Sequence, residues 1–310
     1  MRIITWNVRG INATDKRSRF KDILDNSKSD IILLQETKLS DSKYHDTVSK
    51  WKKWKSVHVS SNGASGGLIT LWNPRSISGH FIDKGMGWLC CHFVHFDISM
   101  TIFNVYGPMN GAEKVKLWDV ISTKLRDLKD QNCIIGGDFN AIRNIKEKQG
   151  GIFPSTKMMA EFDKFICDND LSEVRSSNGI FSWFNKRDGF LQIAEKLDRF
   201  LIAKAWNLTT ICFSSEILSF PGSDHFPVAL NLNKNILSLD KKKSSFKFER
   251  MWFRHPQFFP LIRQWWTSAP AVRGNHMFQF FKKMQYLKNK IRNWTKQVYK
   301  NIFEEKKVVF

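Results

Sequence analysis

The feature that most limits what this chain can fold into is a set of short apolar runs that leave neither face for water. Ile31-Ile32-Leu33-Leu34 and Cys133-Ile134-Ile135 read as strands buried on both sides. Such strands need cover above and below. Helical spacing occurs over residues 15–28, 112–130 and 155–170, the last with Met158, Phe162 and Phe165 on one face. Further strands are expected over 1–5, 66–72, 88–98, 101–105, 196–202, 210–218 and 227–232. Strands outnumber helices, and hairpins mix with crossovers. The expectation is an α/β fold of mixed sheets with helices outside, not a parallel doubly wound sheet. A hydrophobic share of 42% and a charged share of 25% exclude disorder throughout.

Polar residues able to do chemistry fall at the ends of these strands. Asn7 follows the first and Glu36 the second. Tyr106 ends another, and Asp138 and Asn140 come after Gly136-Gly137. Asp198 interrupts an apolar strand, and Asp224 and His225 precede the last one. Strand ends are where α/β proteins gather ligands. Each residue alone has an ordinary use: Asn7 in a turn, Glu36 as a helix cap, Tyr106 in a core, Asp138 and Asn140 in a turn after two glycines. Asp198 is harder to dismiss, because an unpaired buried carboxylate is costly. Together they supply four carboxylates, two carboxamides, an imidazole and a phenol. Hard oxygen donors without cysteine suit magnesium, manganese or calcium, not zinc. A carboxylate beside an amide can hold and deprotonate water, and a histidine paired to a buried aspartate can stay protonated. The set describes metal-assisted hydrolysis of a phosphate ester.

The ordered motifs Trp6-Asn7, Gln35-Glu36, Tyr106-Gly107-Pro108, Gly137-Asp138-Phe139-Asn140, Leu197-Asp198-Arg199 and Ser223-Asp224-His225 resemble the exonuclease III/apurinic endonuclease/DNase I-like superfamily. Gly66-Gly67-Leu68 and Phe181-Ser182-Trp183-Phe184-Asn185 make residues 1–233 similar to the endonuclease domain of plant non-LTR (LINE-type) retrotransposons. Phe246-Lys247-Phe248-Glu249-Arg250-Met251-Trp252 resembles the segment joining such endonucleases to a reverse transcriptase. The resemblance implies a four-layer sandwich of two packed mixed β-sheets flanked by helices. It implies nicking of target DNA to leave a 3′-hydroxyl that primes reverse transcription. It also implies that Glu36 binds Mg2+ or Mn2+, with Asn7 beside it and Asp224 close by. Asp138 then activates the water, Asn140 holds the water or the phosphate, Tyr106 contacts the scissile phosphate, and Asp198 pairs with His225 at the phosphoryl oxygen. Ser182 stands where relatives often carry threonine, and a hydroxyl remains.

Charge separates the chain into two parts. Of the net +20, residues 235–310 carry +13 (17 Lys/Arg against 4 Asp/Glu) and residues 1–234 carry +7 (32 against 25). The expected organisation is an endonuclease-like domain over 1–234 and a basic, aromatic-rich helical segment over 235–310. A linker is expected at 234–245, and a long amphipathic helix at 276–303. Such charge favours nucleic acid through counterion release. Sixteen aromatic residues interleave with it, suiting contact with element RNA; the other reading is a helix that docks on a reverse transcriptase domain, whose motifs this chain lacks. The chain is thus expected to be a truncated element product or a fragment of a longer polyprotein. Without a long apolar segment or a signal-peptide core, it is expected to be intracellular, nuclear, and not membrane-bound. Five cysteines, an odd number with no Cys-x-x-Cys pair, fit a reducing compartment. The rivals are a repair endonuclease at abasic sites, a phosphatase of the same superfamily, and a decayed product that only binds nucleic acid.

Overall fold

The computed structural model describes residues 1–13, 17, 20, 24, 28–63, 65–128, 131–187, 189–203, 206, 211–219, 222–234, 250–270 and 276–298. By its internal contacts the chain divides into two compact units, Met1–Ile236 and Leu237–Phe310.

The first unit is built on two six-stranded sheets. One contains β1 (Arg2–Asn7), β2 (Ile31–Gln35), β3 (Lys55–Asn62), β4 (Ser65–Trp72), β14 (Ile211–Ile217) and β15 (Val228–Lys234), in the order β14-β15-β1-β2-β4-β3. The other contains β5 (Ser78–Gly85), β6 (Trp88–His95), β7 (Ile98–Tyr106), β8 (Cys133–Asp138), β10 (Leu171–Glu173) and β13 (Asp198–Ala203), in the order β10-β13-β8-β7-β6-β5. Within these sheets β1 pairs with β2 and β7 with β8 in parallel, and the other pairs are antiparallel. Both sheets are therefore mixed.

Alternation along the apolar runs explains the layering. Ile31 and Leu33 enter the core between the sheets with Ile3, Phe93, Ile134 and Phe200. Ile32 and Leu34 face the other way, toward Ile4, Tyr44 and Trp51. Tyr44 comes from helix α1 (Asp41–Val48). On the second sheet, Cys133 and Ile135 turn outward onto helices α2 (Gly111–Asp127) and α3 (Thr156–Asp168), meeting Trp118, Ile121, Phe162 and Phe165. Each central strand is covered on both faces, as its composition requires. The result is two packed mixed sheets flanked by helices. A small third sheet, β9 (Lys148–Gln149), β11 (Trp183–Phe184) and β12 (Ala194–Glu195), is ordered β11-β12-β9.

Several local expectations are corrected. Residues 88–98 are not one strand: the backbone turns at Phe96, at φ +53°, between β6 and β7. On α3 the buried methionine is Met159, not Met158. The strands β3 and β5 and helix α1 carried no recognised signal. Residues 15–28 fall mostly outside the described residues, although Arg17, Phe20 and Leu24 are helical. The linker at 234–245 lies outside them too, apart from Lys234 at the end of β15.

The second unit holds a 3-10 turn (Arg250–Arg254), α4 (Phe258–Thr267) and α5 (His276–Val298). Residues 299–303 of the expected long helix are outside the described residues. Trp252, Phe258, Ile291 and Trp294 form a small core, with Leu261, Ile262, Trp265 and Leu287 against it.

Gly136 and Gly137 belong to β8 itself and not to a turn. A Cβ on Gly137 would lie 1.9 Å from the Val105 carbonyl oxygen, which is backbone and cannot give way. Gly137→Ala is therefore expected to cost stability at or above the upper end of the about 1–3 kcal/mol typical of overpacking. Urea unfolding measures it, and a loss below about 0.5 kcal/mol, the level of a neutral surface change, would contradict this packing.

Candidate active site

Three neighbouring strands set the centre of the site. In register, Tyr106 of β7 lies opposite Asp138 of β8, and Asp138 lies opposite Asp198 of β13. The first sheet contributes Asn7 and Glu36 from the ends of β1 and β2, and His225 from the segment leading into β15. The site thus sits where the same ends of both sheets meet.

His225 is held on all sides. Its Nδ1 is 2.8 Å from Asp198 Oδ2, and its Nε2 is 3.8 Å from Asp138 Oδ2. Its backbone carbonyl accepts from the Trp6 indole at 3.0 Å, and its N–H donates to Ser223 Oγ. Ser182 donates to Asp198 Oδ2 at 2.7 Å while its oxygen accepts the Asp198 N–H at 2.9 Å. The β11 segment ties this corner down: the Phe184 N–H donates to the Asp224 carbonyl and the Phe226 N–H to the Ser182 carbonyl.

Asp138 is fully buried, and Asp198 and His225 nearly so. Burial pushes the Asp138 carboxyl up to about 6; the His225 charge opposes this and the Asp198 charge adds to it. Burial alone would lower the His225 pKa, but the Asp198 and Asp138 carboxylates outweigh it and raise the imidazole to about 9. The protonated ring is thus the cation between two buried anions. Asp138, Asp198 and His225 offer ligand atoms within 4.8 Å of one another, yet a metal would have to displace the proton His225 holds toward Asp198. The trio reads as a proton-carrying group.

Glu36 lies beside it. The Asn7 amide donates to Glu36 Oε2 at 3.2 Å and to Asp138 Oδ2 at 2.8 Å, bridging the two carboxylates. The Asn7 side-chain oxygen Oδ1 accepts the Arg9 backbone N–H at 3.0 Å. Burial, with the Glu36 and Asp138 charges, lifts the Tyr106 phenol well above its ordinary range, so it remains a neutral donor. Asp224 stands apart from the trio. It is held by Arg9 through Nε at 3.0 Å and Nη2 at 2.9 Å, and by the Trp183 indole at 2.9 Å. Burial alone would raise its carboxyl, but the Trp183 bond and the His225 and Arg9 charges hold it below the usual range. Asn140 turns its amide to the Gly107 carbonyl at 2.7 Å, and its own N–H caps Asp138 Oδ1 at 2.9 Å.

Arg9 spans toward Glu36, with Nη1 3.8 Å from Oε2, and Lys38 Nζ is 3.0 Å from Glu36 Oε1. Glu36 and Asp224 are hard-oxygen donors, both met by Arg9, and such donors suit a divalent cation such as magnesium. Sequence reading missed Arg9, Lys38 and Lys114, whose Nζ pins the Asn140 carbonyl from α2. None sits in a motif that announces it. Arg9, Glu36, Lys38 and Asn140 all adopt left-handed backbone conformations, φ +47° to +58°. Such conformations are uncommon outside glycine, and their clustering marks a built site.

Because the His225 pKa is raised above its ordinary 6.5, the stability its pairing adds is fully present below about pH 6.5. It is lost as pH rises through about 9. Asp198→Asn removes the first charge that raises it, so burial is offset only by the remaining Asp138 and Asp224 charges. The His225 ring titration, followed by NMR with chelator present, should then fall by about 1–3 units. An unchanged midpoint would remove Asp198 as the cause.

Residues 4–225 match the Endonuclease/Exonuclease/phosphatase family. An exodeoxyribonuclease of Bacillus subtilis is 23% identical over 255 residues, 75% of this chain and all of that protein. The transposon TX1 uncharacterized 149 kDa protein of Xenopus laevis is 26% identical over 231 residues, 64% of this chain but 17% of that protein. Among solved structures, the endonuclease domain of TRAS1, a telomere-specific non-LTR retrotransposon, superposes with a TM-score of 0.59 at 13% identity, over 74% of this chain and 97% of that one. The family match runs from β1 to the His225 segment and takes in every residue of the trio, so the chain belongs to the endonuclease/exonuclease/phosphatase family.

Proposed function

We propose that this protein is a divalent-metal-dependent DNA endonuclease of a LINE-type retrotransposon, nicking target DNA to leave a 3′-hydroxyl for reverse transcription. The observation that carries the reading is the convergence of Asn7, Glu36, Asp138, Asp198 and His225, drawn from both sheets, into one group linked by hydrogen bonds and by the His225–Asp138 ion pair at 3.8 Å. The retrotransposon endonuclease and transposon relatives support the branch. Residues 1–234 act as the nuclease domain, and 235–310 lead to a reverse transcriptase and contact the element RNA. The protein acts in the nucleus.

Glu36 and Asp224, with Asn7 ordering the carboxylate cluster, would hold magnesium or manganese, which when bound offsets the charge of the phosphodiester. Asp138, fixed by Asn7 and by the Asn140 N–H, takes a proton from the attacking water. Asn140 is placed by Lys114 and Gly107 to hold that water or the phosphate. His225, kept charged by Asp198, donates to a phosphoryl oxygen as negative charge develops. Tyr106 donates its phenol to the scissile phosphate. Water adds to phosphorus, the P–O3′ bond breaks, and the departing 3′-oxygen takes a proton from solvent, giving a 3′-hydroxyl and a 5′-phosphate.

Nicking of supercoiled plasmid should require Mg2+ or Mn2+ and stop with chelator. Asp138→Asn and His225→Gln should each lower the rate by about 10²–10⁴ while circular dichroism stays that of the parent. Activity of either variant within about threefold of the parent, far inside the range for an essential acid or base, would remove that residue from the mechanism.

A further inference from the structure

The apolar seam of α5 is covered along only part of its length. Its C-terminal half, Leu287, Ile291 and Trp294, packs against the 3-10 turn and α4. Ring contacts set the two helices antiparallel, with Phe258 5.4 Å from Trp294 at one end and Trp266 6.0 Å from Phe280 at the other. Toward the C-terminal end of α4 the same seam is only partly covered: Phe280 is 52% and Met284 45% exposed. Lys283 sits between them with its ammonium 5.3 Å from the Trp266 ring centroid. Trp266 thus meets Phe280 edge-on, at an interplanar angle of 69°, and also carries the Lys283 ammonium.

Charge identifies what covers it. Residues 250–298 contain ten Lys/Arg and no Asp or Glu. Over residues 235–310 as a whole, 17 Lys/Arg against 4 Asp/Glu leave a net +13, a field that draws a polyanion. A protein partner fits poorly, because interface cores are depleted of lysine and Lys283 adjoins Phe280 and Met284 on α5. A membrane surface would need a continuous apolar face, and half of this one is already buried. A half-exposed ring flanked by lysines has the chemistry that binds single strands, base on ring and phosphate on ammonium.

We propose that the C-terminal unit binds single-stranded nucleic acid, with a base stacked on Phe280 and the adjoining phosphate on Lys283, which Trp266 holds in place. The inference deepens the reading of residues 235–310 as a nucleic-acid contact and is independent of the nuclease chemistry. Trp266 is a positioning residue, and Phe280 and Lys283 touch the strand.

The test uses the full chain in chelator, so that no strand is cut, and fluorescence anisotropy with three labelled probes of one sequence: RNA, single-stranded DNA and duplex DNA. Each is long enough to fill a site of about 4–16 nucleotides. Phe280→Ala should weaken single-strand binding about 5- to 100-fold and leave duplex binding within about threefold. Phe280→Leu, which keeps an apolar side chain without a π-face, should be as weak as Phe280→Ala, whereas Phe280→Trp should bind like the parent. Lys283→Gln should reduce the slope of log affinity against log salt by about 0.7 on single strands. Tighter binding of RNA or of single-stranded DNA identifies the strand, and either supports the proposal. A Phe280→Leu chain that binds single strands like the parent, a parent that prefers duplex, or a parent that binds neither would overturn it.

Discussion

Two aspartates face each other on paired strands, buried at Asp138 and Asp198. Removing a charge from water costs several kcal/mol even after relaxation, so such a pair is tolerable only with a cation between the carboxylates. His225 is that cation, and it comes from the other sheet. One electrostatic requirement therefore joins the two sheets at the same edge where it builds a proton donor beside a proton acceptor. Trp6, Ser182 and Ser223 hold the imidazole by its backbone and by its carboxylate partner. Gly137 of β8 lets β7 come close enough to set Tyr106 in the same row.

Around this centre the charges are graded. Glu36 and Asp224 lie nearer the surface and are met by side chains that can swing away, Lys38 and Arg9. The buried trio is fixed and the outer carboxylates are exchangeable. That division suits a site in which a cation and a phosphodiester arrive from solvent while the proton-carrying groups stay in place. The surplus positive charge lies elsewhere, in residues 235–310, in a unit with its own small core.

Much of this was legible in the sequence, and the parts that were not share a cause. Central strands such as Ile31–Gln35 and Cys133–Asp138 announce themselves because both faces are apolar. The missed strands β3 and β5 are the edges of their sheets. Half-exposed, with Lys55, Ser56, His58 and Ser60 or with Gly79, His80 and Asp83, they carry little hydrophobic signal. Asn7, Glu36, Asp138 and Asp198 stand out because each breaks or ends an apolar run, and His225 because it leads into one. Arg9, Lys38 and Lys114 do not, since a cation on a loop or an exposed helix turn looks like any solvated charge until the fold brings a carboxylate or a carbonyl to it. The α5 stripe read as one continuous face, and only the packing of α4 shows that Leu287 to Trp294 is covered while Phe280 and Met284 are not.

The reaction proposed for this site is hydrolysis of the P–O3′ bond of DNA. The most direct measurement is the chemistry of the nick: plasmid cut by the protein in Mg2+ is given to a DNA polymerase with labelled nucleotides and no other treatment. Immediate extension from the nick, equal to that seen after prior phosphatase treatment, is the predicted result. Ends that extend only after a 3′-phosphate is removed, or plasmid left uncut, would contradict the assignment of Asp138 and His225 to this reaction.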